Sequence, residues 1–152
     1  MMWKKVLTLI GMVMGVMLTL VPTVSAGSLQ SEGRLTAQGD GIAILWGRGT
    51  VDLSGNGVLW IYDRSGDAII RVTGEGQKKE FPDGWLQYAG FHGTVHVEGS
   101  RIVVIVAGVE IELTAQGRGR AWLWGHGSHQ SSAGSGEWRS RPGTRIWQAV
   151  PW

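Results

Sequence analysis

Four histidines, a scatter of carboxylates and one serine cluster are the residues that could carry chemistry in this 152-residue chain. His92 and His96 stand four apart. On a helix that spacing puts both imidazoles on one face, but on a strand it leaves them about 13 Å apart, too far to share a metal ion. His126 and His129 flank Gly127-Ser128 with no third ligand in the pattern, so no metal site is expected. Asp40 and Asn56 sit in the middle of Gly-x-Gly units, and Asp63 and Asp67 flank a polar stretch. A calcium roll needs an oxygen ligand at each successive turn. Here the middle residues are Asp40, Arg48, Asn56, Glu75, Arg118, His126 and Ser135, and two arginines and a histidine spoil a cation ladder. Turn aspartates that bond their own backbone are the simpler reading.

Glu110 and Glu112 would lie about 7 Å apart on one outer strand face, a separation that suits paired carboxylates in glycoside hydrolysis. Nothing in the pattern builds a pocket around them. Ser128, Ser131, Ser132 and Ser135 form no Gly-x-Ser-x-Gly elbow, and no helix amino terminus follows any Gly-x-Gly unit to make it a phosphate loop. Cysteine is absent, which removes thiol chemistry, disulfides and lipid acylation at cysteine. The chain therefore reads as a non-enzyme that needs no cofactor.

The elements that would position these residues begin after a leader. Lys4 and Lys5 form a basic start, Val6 to Val21 is an apolar run, and Val24-Ser25-Ala26 is a small-residue cleavage site. A retained membrane anchor would want about 20 apolar residues, and Pro22 cuts the run short. Residues 1–26 are thus expected to be a removed signal peptide, leaving no transmembrane span and an exported protein that is extracellular, surface-bound or periplasmic. Residues 27–137 then form one β-repeat domain, and 138–152 an irregular tail bearing Trp and Arg. The formal charge of +2 loses Lys4 and Lys5 and becomes neutral, so nucleic acid is not the implied partner.

Glycine numbers 25 in the whole chain and makes up about 18% of the part after the leader, against an average of about 7%. It is placed regularly. Gly39/Gly41, Gly47/Gly49 and Gly55/Gly57 recur every eight residues, and Gly117/Gly119 and Gly125/Gly127 repeat the interval. Between them every second residue is apolar or glycine: Leu35, Ala37, Ala43, Leu45, Val51, Leu53, Leu59 and Ile61 in the first half, then Val103, Ile105, Ala107, Val109, Ile111, Leu113, Ala115, Ala121 and Leu123. A period of two is the strand signature, and these residues are expected to face a narrow core. After Asp63–Asp67 the inward set moves to Ala68, Ile70 and Val72, and Glu75 to Tyr88 reads as a protruding loop.

Two all-β architectures keep that parity. In an antiparallel meander, forming a sandwich or barrel, each Gly-x-Gly is a hairpin loop that pairs Leu53 with Leu59 and Val51 with Ile61. In a flattened β-solenoid or β-roll, each Gly-x-Gly is a corner with no room for a Cβ. The outer face favours the second, because it alternates by strand: Thr36 and Gln38 polar, Ile44 and Trp46 apolar, Thr50 and Asp52 polar, Trp60 and Tyr62 apolar. Later come Thr94, His96 and Glu98, then Ile102, Val104 and Val106 read as outward, then Glu112 and Thr114, then Trp122 and Trp124. A coil of two short strands stacks Ile44 on Trp60 and Thr36 on Asp52 about 4.8 Å apart.

With those glycine-punctuated short strands, over Gly33 to Gly76 and Gly93 to Gly136, the chain resembles uncharacterised exported bacterial glycine-rich β-repeat proteins and, loosely, adhesin-head-like β-helix domains. The resemblance implies a structural role in the cell envelope or outside the cell, and it transfers no catalytic residue. What stands out beyond it is tryptophan, nine in the chain. Trp46, Trp60, Tyr62, Trp122 and Trp124 share outward parity on the apolar array, and a strip of that size should be covered or used. The tail, through Trp138, Trp147 and Trp152, could cover it; so could another subunit, or a polysaccharide. Residues 27–113 carry net −4 and the remainder net +4, a polarity that would favour end-to-end stacking of copies. The expected function is structural or adhesive, with self-association or a cell-wall or surface polysaccharide as partner; the alternative is a carbohydrate-binding module using the Trp strip. If the leader is cleaved as read, the intact mass of the exported protein should correspond to a chain beginning at Gly27; recovery of a membrane-bound chain retaining Met1 would refute export.

Overall fold

The computed structural model describes residues 33–139 and 150–152. The leader at 1–26 and the tail residues Arg141, Pro142, Arg145 and Trp147 lie outside the described residues. Among those described the chain is all-β, with β1 (Gly33–Asp63), β2 (Ile69–Glu80), β3 (Trp85–Ser131), β4 (Gly134–Glu137) and β5 (Val150–Pro151), and no helix. They form one antiparallel sheet in the order β1-β3-β2, with β4 and β5 also paired to β3, and it is not closed into a barrel.

β1 and β3 are each far longer than an ordinary strand because both bend repeatedly without losing their pairing. Each straight segment of β1 lies between two segments of β3. Thr36 is flanked by Thr114 and Gln130, Ile44 by Ile105 and Trp122, Asp52 by His96 and Thr114, and Trp60 by Gln87 and Ile105. The chain therefore passes alternately through two arrays. One runs Gln130, Thr36, Thr114, Asp52, His96, Arg71; the other runs Trp122, Ile44, Ile105, Trp60, Gln87, Lys79. Buried residues from both arrays, including Leu35, Leu45, Val51, Leu59, Ile61, Phe91, Val97 and Ile111, belong to one hydrophobic core. Each such fully buried side chain contributes about 1.5–3 kcal/mol by leaving water.

The bends explain the glycines. Gly39, Gly41, Gly47 and Gly49 lie opposite Gly127, Gly125, Gly119 and Gly117, and Gly55 and Gly57 lie opposite Gly93 and Gly108. At Gly49, φ is 127°, which L side chains rarely adopt, and a Cβ would collide with the Gln116 carbonyl oxygen. Glycine faces glycine because two backbones turn the same corner in contact.

Several expectations are corrected. Leu53 pairs with Val95 and Leu113, not with Leu59, so the Gly-x-Gly units are not local hairpin loops, and the barrel alternative falls with the open sheet. Ile44 and Trp60 share an array but are separated by Ile105, which doubles the spacing expected of a simple coil. Between residues 102 and 109 the parity is reversed: Ile102, Val104 and Val106 are buried, while Val109 is half-exposed. The cause is local. The corner Gly99-Ser100-Arg101-Ile102 has one residue more than a Gly-x-Gly corner, and the register is restored at Glu110, whose φ of 54° marks a bulge. Glu75 to Tyr88 is not a loop but a hairpin, in which Gln77–Glu80 pair with Ala89–Leu86 around a turn at Phe81–Gly84.

The tail extends the sheet edge. Trp138 donates its backbone N–H to Gly127 O, Arg139 bonds Leu123 and Gly125, and Trp152 exchanges two backbone bonds with Gly119. Trp138 and Trp152 are both buried in the core, and Trp138 Nε1 donates to Ser128 O at 3.1 Å. The halves of opposite net charge are interleaved through β1–β3 pairing, so charge does not separate end from end. The glycine contacts set the first stability test. Gly49→Val should cost at least about 2 kcal/mol through strain and overpacking, against about 0.5 kcal/mol or less for the neighbouring Thr50→Val. Chemical denaturation of both variants decides it, and equal stabilities would overturn the assignment.

Candidate functional site

The alternation of the chain between two arrays gives the molecule two chemically different outer faces. Trp46, Trp60, Tyr62, Trp122 and Trp124 all lie on the apolar one and are partly exposed. They gather into two groups. Trp122 meets Trp46 edge-on with ring centroids 4.9 Å apart, and Trp124 at 5.8 Å. Trp60 stacks on Phe81 at 5.3 Å, and Tyr62 stacks on Trp85 at 5.0 Å with an interplanar angle of 18°. Trp85 also meets Trp60 edge-on, and Lys79 Nζ sits 4.7 Å from the Phe81 centroid. Ile44, Val103 and Ile105 lie between the groups on paired strands.

Phe81 and Trp85 were missed in the sequence. The signal was present, since Phe81-Pro82-Asp83-Gly84-Trp85 has the Pro-Asp-Gly composition of a tight turn, and a turn there pairs the segments on either side. The strip is therefore longer than the five residues that share its parity.

The polar face is a broad concavity of about 880 Å³ lined by Thr36, Gln38, Asp52, Ser54, Thr94, His96, Glu112 and Thr114 among others. His96 Nδ1 is 2.7 Å from Asp52 Oδ1, while its Nε2 lies 3.8 Å from Glu98 Oε2. The carboxylate fixes the orientation of the imidazole ring. Register alone makes this pair, because 44 positions separate its members. Thr73 and Thr94 share a hydrogen bond beside it.

The remaining candidate residues are dispersed. His92 stands opposite Asn56 and His126 opposite Asp40, both at bends and away from His96. Glu110 and Glu112 do not form a pair: Glu110 sits at the bend, accepting from Asn56 Nδ2 at 2.9 Å and donating its backbone N–H to Asp40 at 2.7 Å, whereas Glu112 lines the concavity. Asp63 accepts from the backbone N–H groups of Ser65, Gly66 and Ala68, which fixes the loop after β1. Asp67 accepts from Ser100 N, and hydrogen bonds from Ser100 hold its carboxyl below the ordinary carboxylate range. No group of three or more metal-ligating side chains converges among the described residues. Comparison with known protein families, with curated protein sequences and with solved structures gives no significant match, so the site is read from its own geometry.

One group in the concavity carries a pH dependence. His129 Nδ1 is buried without a hydrogen-bond partner among the described residues, and burial pushes the imidazole below its ordinary pKa of 6.5. On acidification the unfolded chain takes up this proton at 6.5 while the folded chain resists, so the contribution is flat above 6.5 and stability falls below it. Thermal melts from about pH 7.5 to about pH 5 should show a steeper acid loss for the parent than for His129→Asn. Parallel loss in the two proteins would exclude His129 as the group responsible.

Proposed function

We propose that this is an exported, non-enzymatic structural and adhesive β-repeat protein acting at the cell surface, outside the cell or in the periplasm, with its bent sheet arranged as a flattened β-roll of two antiparallel limbs. The observation that carries the reading is the aromatic face. Trp46, Trp60 and Tyr62, together with Trp122 and Trp124, are partly exposed on one face, and Trp138 and Trp152 are buried in the core. A contiguous aromatic surface of this extent supports contact with a partner, either a wall or surface polysaccharide or another copy of the chain. The resemblance to glycine-punctuated exported repeat proteins agrees with that role.

A carbohydrate-binding module is the second reading. The stacked pairs Tyr62–Trp85 and Trp60–Phe81 favour it, because their roughly parallel, partly exposed rings present aromatic surface to a sugar ring. Trp60→Ala and Trp122→Ala should weaken retention on insoluble cell-wall polysaccharide while lowering stability by less than about 1.5 kcal/mol. Trp138→Ala should do the reverse, costing about 3–5 kcal/mol as a buried ring with retention unchanged in the fraction still folded. Adhesion fails if the strip variants bind as the parent does and sediment as it does. High-affinity binding of one defined soluble sugar by a monomer would select the second reading.

A further inference from the structure

The bend that joins the two arrays on one side of the molecule carries a row of arginines. Arg48 and Arg118, the middle residues of aligned Gly-x-Gly units, lie directly opposite each other. On the other side of Arg48 is the Gly99–Ile102 corner with Arg101, and Arg64 donates its backbone N–H to Arg101 O at 2.9 Å. Four guanidinium side chains thus follow one another on four adjacent chain segments, about 4.8 Å apart from strand to strand. All four are exposed, and none forms an ion pair among the described residues. Like charges set directly opposite on paired strands repel. Asp67 and Glu98 line a depression with Arg48 and Arg118 on the polar side of the same bend, yet neither pairs with an arginine among the described residues. Asp63 is occupied by its own loop. The opposite bend has the other sign, with Asp40, Glu75 and Glu110.

Directly beside the row, on the aromatic face, is a cleft of about 600 Å³ walled by Ile44, Trp46, Val103 and Trp122 with the four arginines at its edge. The juxtaposition of an apolar aromatic cleft with an unpaired cationic row is the chemistry of a membrane interface, where indole rings settle at headgroup level and guanidinium groups meet lipid phosphates. An acidic polysaccharide would satisfy the arginines, but beside them the cleft offers it one neutral hydroxyl, Ser100, among otherwise apolar side chains. We propose that this face docks on an anionic lipid bilayer, with Trp46 seated at the interface and Arg48, Arg64, Arg101 and Arg118 on the headgroups. The proposal deepens the adhesive reading by giving the aromatic face a lipid partner, and it rests on that reading.

The test is co-sedimentation of the mature chain, with the leader removed as export would remove it, on vesicles of phosphatidylcholine alone and of phosphatidylcholine mixed with phosphatidylglycerol. Binding is expected on the mixed vesicles only, with a blue shift in tryptophan emission, and should weaken in about 0.5 M salt because exposed charges are screened. Each basic residue at an anionic surface is worth about fivefold in partitioning, so Arg48→Gln with Arg118→Gln should weaken binding roughly 25-fold at an unchanged melting temperature. Trp46→Ala should remove the emission shift and reduce binding. Cell-wall retention measured on the same arginine variants separates the two readings: retention kept while vesicle binding is lost supports lipid docking, and retention lost with Trp60→Ala and Trp122→Ala concerns adhesion alone. Equal binding to both vesicle types, no binding to either, insensitivity to the arginine changes, or binding to an acidic polysaccharide in place of vesicles would overturn the proposal.

Discussion

Everything in this molecule depends on backbone meeting backbone at the bends. Two antiparallel limbs turn the same corner while still hydrogen-bonded, and where they do so there is no volume for a Cβ. Gly41 faces both Gly108 and Gly125, and Gly49 faces both Gly99 and Gly117. These contacts let the sheet bend without breaking its ladder, and buried residues from its successive segments belong to one core. A helix or a second sheet is not needed to cover it. Mostly aliphatic side chains such as Leu45, Val51 and Ile61 fill that core, together with Phe91, Trp138 and Trp152.

The same corners separate the outer chemistry. An eight-residue interval sends successive segments to opposite faces, so a simple alternation in sequence becomes one aromatic face and one hydroxyl-rich concavity. Residues midway between paired glycines project at the bends and belong to neither face. That is why Arg48 and Arg118 meet on one side while Asp40 and His126 meet on the other, although each pair is far apart in the chain. The charge difference between halves of the sequence is not carried into the fold, where the arginine row at one bend takes Arg48, Arg64 and Arg101 from the acidic half and Arg118 from the basic one.

The strand class, the spacing of bends and the outward parity of Trp46, Trp60, Tyr62, Trp122 and Trp124 were legible because each is a short-range periodicity. What escaped was of two kinds. Single-residue departures at Gly99–Ile102 and at Glu110 reverse the parity of Ile102, Val104 and Val106, and a run in which both parities are apolar gives no sign of the slip. Pairings across the chain, such as Asp52 with His96 or Ile105 between Ile44 and Trp60, depend on a partner limb whose register no local pattern encodes. The tail was unreadable for the same reason. Trp138 and Trp152 enter the core because they arrive beside the unpaired edge of β3, not because of anything in their own neighbourhood.

Among the described residues β1 pairs with β3 alone, and its first residues meet the end of that limb: Arg34 N–H is bonded to Ser132 Oγ, just past β3 and 98 positions away. A ribosome delivers β1 long before its neighbours exist. Loop closure over such distances is slow, and extended chain with few local contacts has nothing to collapse onto. The nascent protein must therefore stay open until nearly its whole length has been made, so its order of assembly is set by the end of the chain. That delay exposes a long apolar strand to other copies for as long as the wait lasts.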